Sequence, residues 1–269
     1  MSVLIDPAAL RQTACELAKI GGVAARRLFG KVSVARKADN SPVTEADHVT
    51  QDAILRALAK RYPLHAIVVE ETVAKPERHV EARASDYCWV IDPIDGTRNF
   101  GRGVRIYATS VAVLHRGRPV AGAIYDATSE SVYSAAVGLG ARRDETPLIV
   151  QDRAIDRETA VAIGSFRRHP APAAVRGWMD QYLLRNQGST SLHIAWVASG
   201  LVDAAYANDC KLWDIAAAAL LVEEAGGLAT GPGGEAIWPI DPAAYNGVDM
   251  PVLAAAPTLH RRLLADLRA

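Results

Sequence analysis

The segment YCWVIDPIDGT (residues 87–97) constrains the fold more than any other part of the chain. Residues 87–91 are all apolar or aromatic, which predicts a short buried strand with Asp92 directly at its end. Open α/β sheets bind ligands at the carboxyl ends of their strands, so we expect Asp92 to lie at a functional edge. Pro93 has no N–H group to donate to a neighbouring strand, and we therefore expect the strand to stop there.

The residues after Pro93 indicate a site for a cation and an anion. A turn there would bring Asp95 to face Asp92, and two close carboxylates stay ionised together most easily with a cation between them. Oxygen ligands favour Mg²⁺ over softer ions. Gly96 allows a close backbone approach, the N–H groups of such a turn can bind an anion, and Thr97 adds a hydroxyl. The alternative is that both aspartates are only turn and cap residues.

Two further acids stand where they can join this pair. Glu70 ends the apolar segment 66–69, so its carboxylate would lie beside that of Asp92 at the same sheet edge, unless it is a solvated loop acid. Asp214 opens the very apolar helix predicted over 213–227. Taken alone, an acid at that position is explained by the helix dipole.

Thr44 and Asp47 have the spacing of a capping box at the start of a helix. Asp47 is therefore either a cap alone or a cap that also reaches the attacking water or Thr97. The sequence leaves both interpretations open.

Helices and strands alternate along most of the chain, which predicts layers of helices and sheets. Helices are expected over 6–30, 44–62, 171–185, 190–200 and 213–227, with a short one at the C-terminus. Strands are expected over 66–70, 87–91, 159–164, 202–207 and 251–257, with an antiparallel meander over 106–137 and loops over 37–42 and 138–146. We expect an N-terminal α+β subdomain (1–150) with most of the metal ligands, and a C-terminal α/β subdomain (151–269) with Asp214 and the substrate-specificity face.

The bulk composition excludes several classes of protein. Lys and Arg number 30 and Asp and Glu number 30, so the net charge of zero does not favour binding to nucleic acid. Three cysteines, an odd number, do not favour a disulfide framework and fit a reducing compartment. The N-terminus lacks the pattern of a secretion signal, and no apolar run approaches the ~20 residues of a membrane span. We expect a cytoplasmic protein.

Five sequence blocks together resemble the inositol monophosphatase family of metal-dependent, lithium-sensitive phosphatases. They are SPVTEAD (41–47), VEE (69–71), WVIDPIDGTRNF (89–100), GSTS (188–191) and LWDIAAAALLVEEAGG (212–227). They follow the family's order and spacing and span residues of about 37 to 230. The resemblance implies a layered αβαβα sandwich of the sugar-phosphatase type, in the α/β (α+β) class, and often a homodimer.

The resemblance also implies a set of metal ligands. Glu70, Asp92 and the backbone carbonyl of Ile94 would bind one Mg²⁺, and Asp92, Asp95 and Asp214 would bind a second. A weaker third ion near Glu70 is usual in the family.

The same resemblance assigns the phosphate and the nucleophile. Gly96 and Thr97 would hold the phosphate, and Thr97 with Asp47 behind it would help to activate the attacking water. The chain departs from the family at Val69, where a glycine is usual, and at Ala207, where members that bind inositol usually carry an acid. The second departure weakens the case for inositol phosphate and leaves the metal chemistry unchanged.

The predicted specificity face lies in the second half of the chain. Its members are Ser189, Thr190, Ser191, Ala207, Asp209 and Lys211. Lys211 either binds an anionic group on the leaving portion of the substrate or is solvated. His193 is expected to be a core histidine and not a metal ligand.

These patterns predict an Mg²⁺-dependent phosphomonoesterase that uses direct attack by water, oriented by Glu70 and Thr97. The partner expected is a small phosphorylated metabolite: inositol 1-phosphate first, histidinol phosphate as the alternative, and less readily fructose 1,6-bisphosphate or 3′-phosphoadenosine 5′-phosphate. Phosphatases of the haloacid-dehalogenase type have their two aspartates two positions apart. Asp92 and Asp95 are three apart, which argues against a phospho-aspartate. A catalytically silent binding protein on the same scaffold is the alternative from a different class.

Overall fold

A computed structural model describes residues 4–36, 42–72 and 85–269. The predicted loop 37–42 lies outside the described residues except for Pro42. The helices are α1 (Pro7–Leu28), α2 (Glu45–Arg61), α3 (Thr97–Gly101), α4 (Ala173–Trp178), α5 (Thr190–Ala198), α6 (Leu212–Glu224) and α7 (Pro257–Arg268). A short 3-10 helix covers Glu70–Thr72.

Fourteen strands within the described residues form three sheets. A small antiparallel pair joins β1 (Val34–Arg36) and β2 (Pro42–Thr44). A seven-stranded sheet contains, in spatial order, β3 (Ala66–Val69), β4 (Tyr87–Asp95), β5 (Ala108–His115), β6 (Arg118–Asp126), β7 (Ser131–Ala136), β8 (Ala141–Arg143) and β9 (Thr146–Leu148). A five-stranded sheet contains β10 (Ala160–Ile163), β11 (Leu183–Arg185), β12 (Ala204–Ala207), β13 (Leu228–Thr230) and β14 (Val252–Ala255), in the order β11-β10-β12-β14-β13.

The helices and the two large sheets stack in five layers. Helices α1 and α2 pack on the outer face of the seven-stranded sheet, in a core that includes Leu17 and Trp89. Helices α5 and α6 lie between the sheets, where Ile215 belongs to a core that both sheets share. Helices α4 and α7 cover the far face of the five-stranded sheet around Trp178 and Leu259. This arrangement confirms the predicted αβαβα sandwich. No helix of the described chain is long and apolar enough to cross a membrane.

Helix α1 begins where the sequence predicted. The Asp6 side chain accepts a hydrogen bond from the backbone N–H of Ala8 (3.0 Å), and Pro7 occupies the first turn. A glycine then lets this helix approach the sheet closely, because a Cβ at Gly22 would lie 2.0 Å from the ring of Tyr125.

Strand β4 differs from the expectation that it would stop at Pro93. It continues to Asp95, and its pairing with β5 shifts between Asp92, opposite Ser110, and Asp95, opposite Ala108. Pro93 and Ile94 of β4 thus oppose the single residue Thr109 of β5, and such a bulge accommodates a proline because its position needs no ladder hydrogen bond. The bulge keeps both aspartates on one strand.

The predicted meander over 106–137 is confirmed as β5, β6 and β7. Two local predictions were wrong. Residues 171–185, predicted as one helix, form α4 and then β11, where the N–H of Leu183 donates to the carbonyl of Thr159 (2.9 Å). The predicted loop 138–146 contains β8 and the start of β9, polar strands at the sheet edge. The secondary structure of both segments depends on pairing with other strands of the fold, and the local sequence pattern does not reveal that pairing.

Chain segments change from one large sheet to the other between Leu148 and Ala160. The division into subdomains 1–150 and 151–269 stays a prediction.

Candidate metal and phosphate site

Three carboxyl groups meet in the interior between β4 and α6. The side chains of Asp92, Asp95 and Asp214 each offer an oxygen, and these oxygens lie within 4.8 Å of one another. Asp92 and Asp95 come from the bulged end of β4 and are 1% and 7% exposed, and Asp214 comes from the first turn of α6. Asp214 is more than 100 positions from Asp92 and Asp95 in the chain, and the fold brings the three acids together.

A bound cation would offset the electrostatic repulsion within this cluster of carboxyl groups. Burial raises the pKa of Asp92, and repulsion from Glu70, Asp95 and Asp214 raises it further. Burial also raises the pKa of Asp214, with repulsion from Asp95 as the next cause. In the described part of the chain, no lysine, arginine or histidine forms an ion pair with Asp92, Asp95 or Asp214. An all-carboxylate set of ligands fits a hard divalent cation, which would favour the ionised forms.

Glu70 lies where the sheet-edge argument predicted. Strand β3 runs parallel to β4 with Val69 opposite Ile91, so Glu70 follows its strand beside Asp92. Glu70 is close enough to act on Asp92, because its carboxyl group is one of the causes that raise the pKa of Asp92. Next to them, the N–H of Ile94 donates to Asp92 Oδ1 (2.9 Å).

Asp95 sits at the N-terminus of α5. Its Oδ2 accepts hydrogen bonds from Ser189 Oγ (2.5 Å), Ser191 Oγ (2.5 Å) and the N–H of Ser191 (2.7 Å), and its Oδ1 accepts one from the N–H of Thr190 (3.2 Å). Burial raises the pKa of Asp95, and these four donors act in the opposite direction. Ser189, Thr190 and Ser191, predicted as substrate contacts, are thus partners of a predicted metal ligand.

Gly96 and Thr97 form a tight turn beside the acids. Gly96 has a φ of 96°, in the left-handed region that favours glycine, and a Cβ there would lie 3.0 Å from the carbonyl oxygen of Ile106. Thr97 Oγ1 lies 3.0 Å from the carbonyl oxygen of Ile94 and 3.2 Å from Asp47 Oδ1. The geometry joins Asp47 to Thr97, one of the two possibilities that the sequence left open.

Asp47 is also a helix cap. Its Oδ2 accepts from the N–H of Thr44 (2.7 Å) and from Thr44 Oγ1 (2.6 Å). One carboxylate thereby fixes the start of α2 with Oδ2 and contacts Thr97 with Oδ1. Asp214 has a similar second contact, since its Oδ2 accepts from the N–H of Lys211 (2.7 Å).

The other predicted specificity residues are Ala207, Asp209 and Lys211. Ala207 is the last residue of β12 and is buried. Asp209 Oδ2 accepts from the N–H groups of Arg167 and Arg168, at 2.7 Å each. Asp209 therefore holds the loop after β10. Lys211 is neither free nor fully solvated, because its Nζ contacts the Gly247 carbonyl and Asp249.

Two residues near the site were missed by the sequence predictions. Asp249 forms ion pairs with Lys211 (3.0 Å) and Arg168 (2.6 Å), although no local pattern around it indicated a role. Asn99 lies within the DGTRNF motif, and its Nδ2 donates to the carbonyls of Ile106 (2.7 Å) and Gln187 (2.6 Å). Asn99 could have been identified from the sequence by its position shortly after the predicted phosphate-binding turn.

His193 is a core residue, as predicted. It is 3% exposed, and its Nε2 accepts from the N–H of Gln187 (3.0 Å). Burial lowers its pKa to about 4, so the ring is neutral at neutral pH.

The fold and the buried acidic cluster define a metal-dependent hydrolase of the layered αβαβα type. Comparison with known proteins agrees: the sequence profile of the inositol monophosphatase family matches residues 6–269. The chain belongs to the inositol monophosphatase family, whose members are phosphomonoester hydrolases that depend on metal ions.

Individual relatives carry different names. The chain is 35% identical over 198 residues to the Nus factor SuhB of Pasteurella multocida, covering 71% of this chain and 72% of that protein. It is 32% identical over 234 residues to the inositol-1-monophosphatase of Mesorhizobium japonicum, covering 81% and 84%. The crystal structure of the extragenic suppressor protein suhB from Bartonella henselae has a TM-score of 0.84 and 26% identity, and covers 97% of this chain and 98% of that one.

Proposed function

We propose that this chain hydrolyses a small phosphomonoester with Mg²⁺ as cofactor. The observation that carries the proposal is the meeting of Asp92, Asp95 and Asp214 within 4.8 Å in a buried setting, with Glu70 near enough to raise the pKa of Asp92. Among the described residues, Asp92, Asp95 and Asp214 have no cationic side chain as a partner, so their burial costs folding free energy. A functional role for the three acids explains why the protein keeps them.

The residues divide the work of the reaction. Two Mg²⁺ ions, when bound, would neutralise the phosphate, lower the pKa of the attacking water and stabilise the leaving oxygen. Glu70, Asp92, Asp95, Asp214 and the carbonyl of Ile94 would hold them, and the resemblance adds a weaker third ion near Glu70. This assignment follows the resemblance, and the positions of the acids support it.

Water and phosphate are positioned by the turn after β4. Glu70 and Thr97 would orient the water for in-line attack, and Asp47 would hold the Thr97 hydroxyl at the observed 3.2 Å. The N–H groups of Gly96 and Thr97 would bind the phosphate oxygens. Since Asp92 and Asp95 serve as ligands, no covalent phosphoenzyme is needed.

The substrate we propose first is inositol 1-phosphate, and histidinol phosphate is the alternative. A relative named inositol-1-monophosphatase supports the first. Ala207, where inositol-binding members usually have an acid, supports the second. Lys211 and Asp209 stay proposed contacts of the leaving group, with Lys211 paired to Asp249 at 3.0 Å. Fructose 1,6-bisphosphate and 3′-phosphoadenosine 5′-phosphate remain less favoured.

A phosphate-release panel at fixed Mg²⁺ tests the proposal. The panel compares inositol 1-phosphate, histidinol phosphate, fructose 1,6-bisphosphate and 3′-phosphoadenosine 5′-phosphate, with and without EDTA. We expect Mg²⁺-dependent release from at least one, and its loss in Asp92→Ala. Asp180→Ala, which removes an exposed acid outside the cluster, is the matched control and should retain activity.

A silent binding protein is the alternative function, and the name Nus factor, which several relatives carry, favours it. Absence of Mg²⁺-stimulated release from the whole panel would support that alternative. A homodimer and a cytoplasmic location stay predictions from the resemblance and composition. Light scattering after size-exclusion chromatography tests the dimer.

A further inference from the structure

We propose that Ser189 and Ser191 are positioning residues that hold Asp95 in its metal-binding orientation, and are not contacts for the leaving group. This inference rests on the proposed function, because it assigns Asp95 as a metal ligand. It also corrects the role expected of both serines from the sequence.

The single hydrogen of each serine hydroxyl is donated to the same oxygen of Asp95. Each donates to Asp95 Oδ2 at 2.5 Å, and the N–H of Ser191 donates to the same atom at 2.7 Å. A serine hydroxyl has a single hydrogen, so neither can donate to a substrate while it bonds Asp95. Hydrogen bonds of this length to a charged acceptor belong to the stronger class.

Burial closes the remaining route to a substrate. Ser189 is 1% exposed and Ser191 is 0% exposed, so their oxygen lone pairs are not presented to a bound molecule. Thr190, between them, is only partly buried and contributes its N–H to Asp95 Oδ1. Thr190 is therefore the member of this trio that remains available to a leaving group.

The loop that carries the serines is anchored independently of Asp95. Asn99 Nδ2 donates to the carbonyl of Gln187 at 2.6 Å, and the N–H of Gln187 donates to His193. Gly188 has a φ of 82°, and a Cβ there would lie 2.8 Å from Asn99 Nδ2. Because the loop is fixed from both sides, the serine hydroxyls are preorganised and Asp95 adapts to them.

The four donors are shared unequally between the two oxygens of Asp95. Oδ2 accepts three hydrogen bonds and Oδ1 accepts one at 3.2 Å, which leaves Oδ1 with acceptor capacity for a cation. Loss of either hydroxyl would let the carboxylate rotate and would weaken the metal site.

The test compares Ser189→Ala and Ser191→Ala with Ser199→Ala. Ser199 lies at the other end of α5, where its Oγ donates to the carbonyl of Trp196 (3.1 Å), so the same chemical change is made away from the site. Calorimetric titration with MgCl₂ gives the affinity for the metal alone. A phosphate-release assay gives kcat and KM at saturating Mg²⁺.

We expect Mg²⁺ to bind about tenfold more weakly to each of the first two variants, the loss typical of one hydrogen bond to a charged group. KM at saturating Mg²⁺ should stay close to wild type, and Ser199→Ala should match wild type in Mg²⁺ affinity. Ser189→Thr keeps a hydroxyl and should restore the affinity. Ser189 also caps α5 by accepting from the N–H of Leu192 (3.4 Å), whereas Ser191 does not, so an equal loss in Ser191→Ala separates positioning from loss of the cap.

Unchanged Mg²⁺ affinity in both alanine variants would overturn the proposal. If KM were also raised in these variants, the serines would instead be contacts for the substrate. If wild type binds Mg²⁺ but releases phosphate from no compound, the proposed function fails while the calorimetric comparison still decides the role of the serines. If wild type binds no Mg²⁺, both proposals fail. Should Ser191→Ala not fold, Ser189→Ala with its threonine counterpart gives the same decision.

Discussion

Asp92 shows how burial and charge act on one residue. It is 1% exposed, it neighbours three other acids, and burial followed by their repulsion raises its pKa. An aspartate whose pKa is raised on folding destabilises the folded state at neutral pH, because the unfolded chain ionises it more easily. The residue is therefore favourable only when a cation is bound.

Asp92→Asn should accordingly have opposite effects on activity and on metal-free stability. We expect turnover to fall at least about 1000-fold, since the residue ligates both proposed ions. In EDTA we expect the free energy of unfolding to rise by about 1–3 kcal/mol, because a buried charge is removed. Urea denaturation with and without Mg²⁺ measures the second effect.

Asp126→Asn is the control for this experiment. Asp126 is also buried, but its Oδ1 accepts from the N–H of Thr128 (2.7 Å) and its Oδ2 from Ser129 Oγ (2.8 Å). Its replacement should lower stability in EDTA. Equal destabilisation by both substitutions would contradict the account of Asp92.

Thr97 offers a second test at this scale. Its Oγ1 lies between Asp47 and the carbonyl of Ile94, so Thr97→Val keeps the shape of the side chain and removes the hydroxyl. We expect kcat to fall by about 100-fold, a typical loss for a group that assists proton transfer. Thr97→Ser should restore most of the rate. Equal kcat for the valine and serine variants would exclude a role for the hydroxyl.

At the scale of elements, the predictions held where local chemistry decides the structure. The start of α1 at Asp6–Pro7 and the start of α2 at Thr44 follow from capping residues that the sequence displays. Strand β11 and the continuation of β4 past Pro93 depend on partners elsewhere in the chain, so local pattern did not reveal them. Glu70, Asp92 and Asp95 were predicted from strand ends and the turn that follows, and Asp214 became a predicted ligand only through the resemblance to the family. Their hydrogen-bond partners required coordinates.

The close packing of α1 on the sheet gives a prediction for an element. Gly22→Ala would place a Cβ 2.0 Å from the buried Tyr125 ring, and we expect a loss of about 1–3 kcal/mol from overpacking. Gly177→Ala in α4 has no atom nearer than 4.0 Å and should raise stability by about 0.5–1 kcal/mol. Urea denaturation of both variants checks the contrast. A Gly22→Ala protein as stable as wild type would show that α1 packs less closely than described.

For the whole molecule, the five layers explain how distant segments make one site. Asp92 and Asp95 come from the seven-stranded sheet, and Asp214 comes from a helix between the sheets. The Asp95 contacts with Ser189 and Ser191 tie the same strand to α5. The site is complete only when α5 and α6 are packed beside the seven-stranded sheet.

A buried histidine in this middle layer predicts how stability depends on pH. Burial lowers the pKa of His193 from 6.5 to about 4, so the unfolded chain binds a proton at a higher pH than the folded chain does. Stability from this residue is complete above pH 6.5 and is lost as the pH falls towards 4, by up to about 3 kcal/mol. Urea denaturation at a series of pH values from about 8 to about 4.5 measures this loss.

His193→Gln is the comparison for that experiment. The amide oxygen of glutamine can accept from the N–H of Gln187 without titrating, so the difference between the two proteins isolates the histidine. We expect wild type to lose more stability than the variant as the pH falls. Parallel pH profiles would contradict the assignment of a neutral buried ring.

An anomalous difference map from crystals grown with Mn²⁺ tests the central claim most directly, because Mn²⁺ prefers the same oxygen ligands as Mg²⁺. The account predicts peaks bonded to carboxylate oxygens of Asp92, Asp95 and Asp214, with Asp92 shared between two ions. Crystals saturated with Mn²⁺ that show no peak among these three side chains would contradict it.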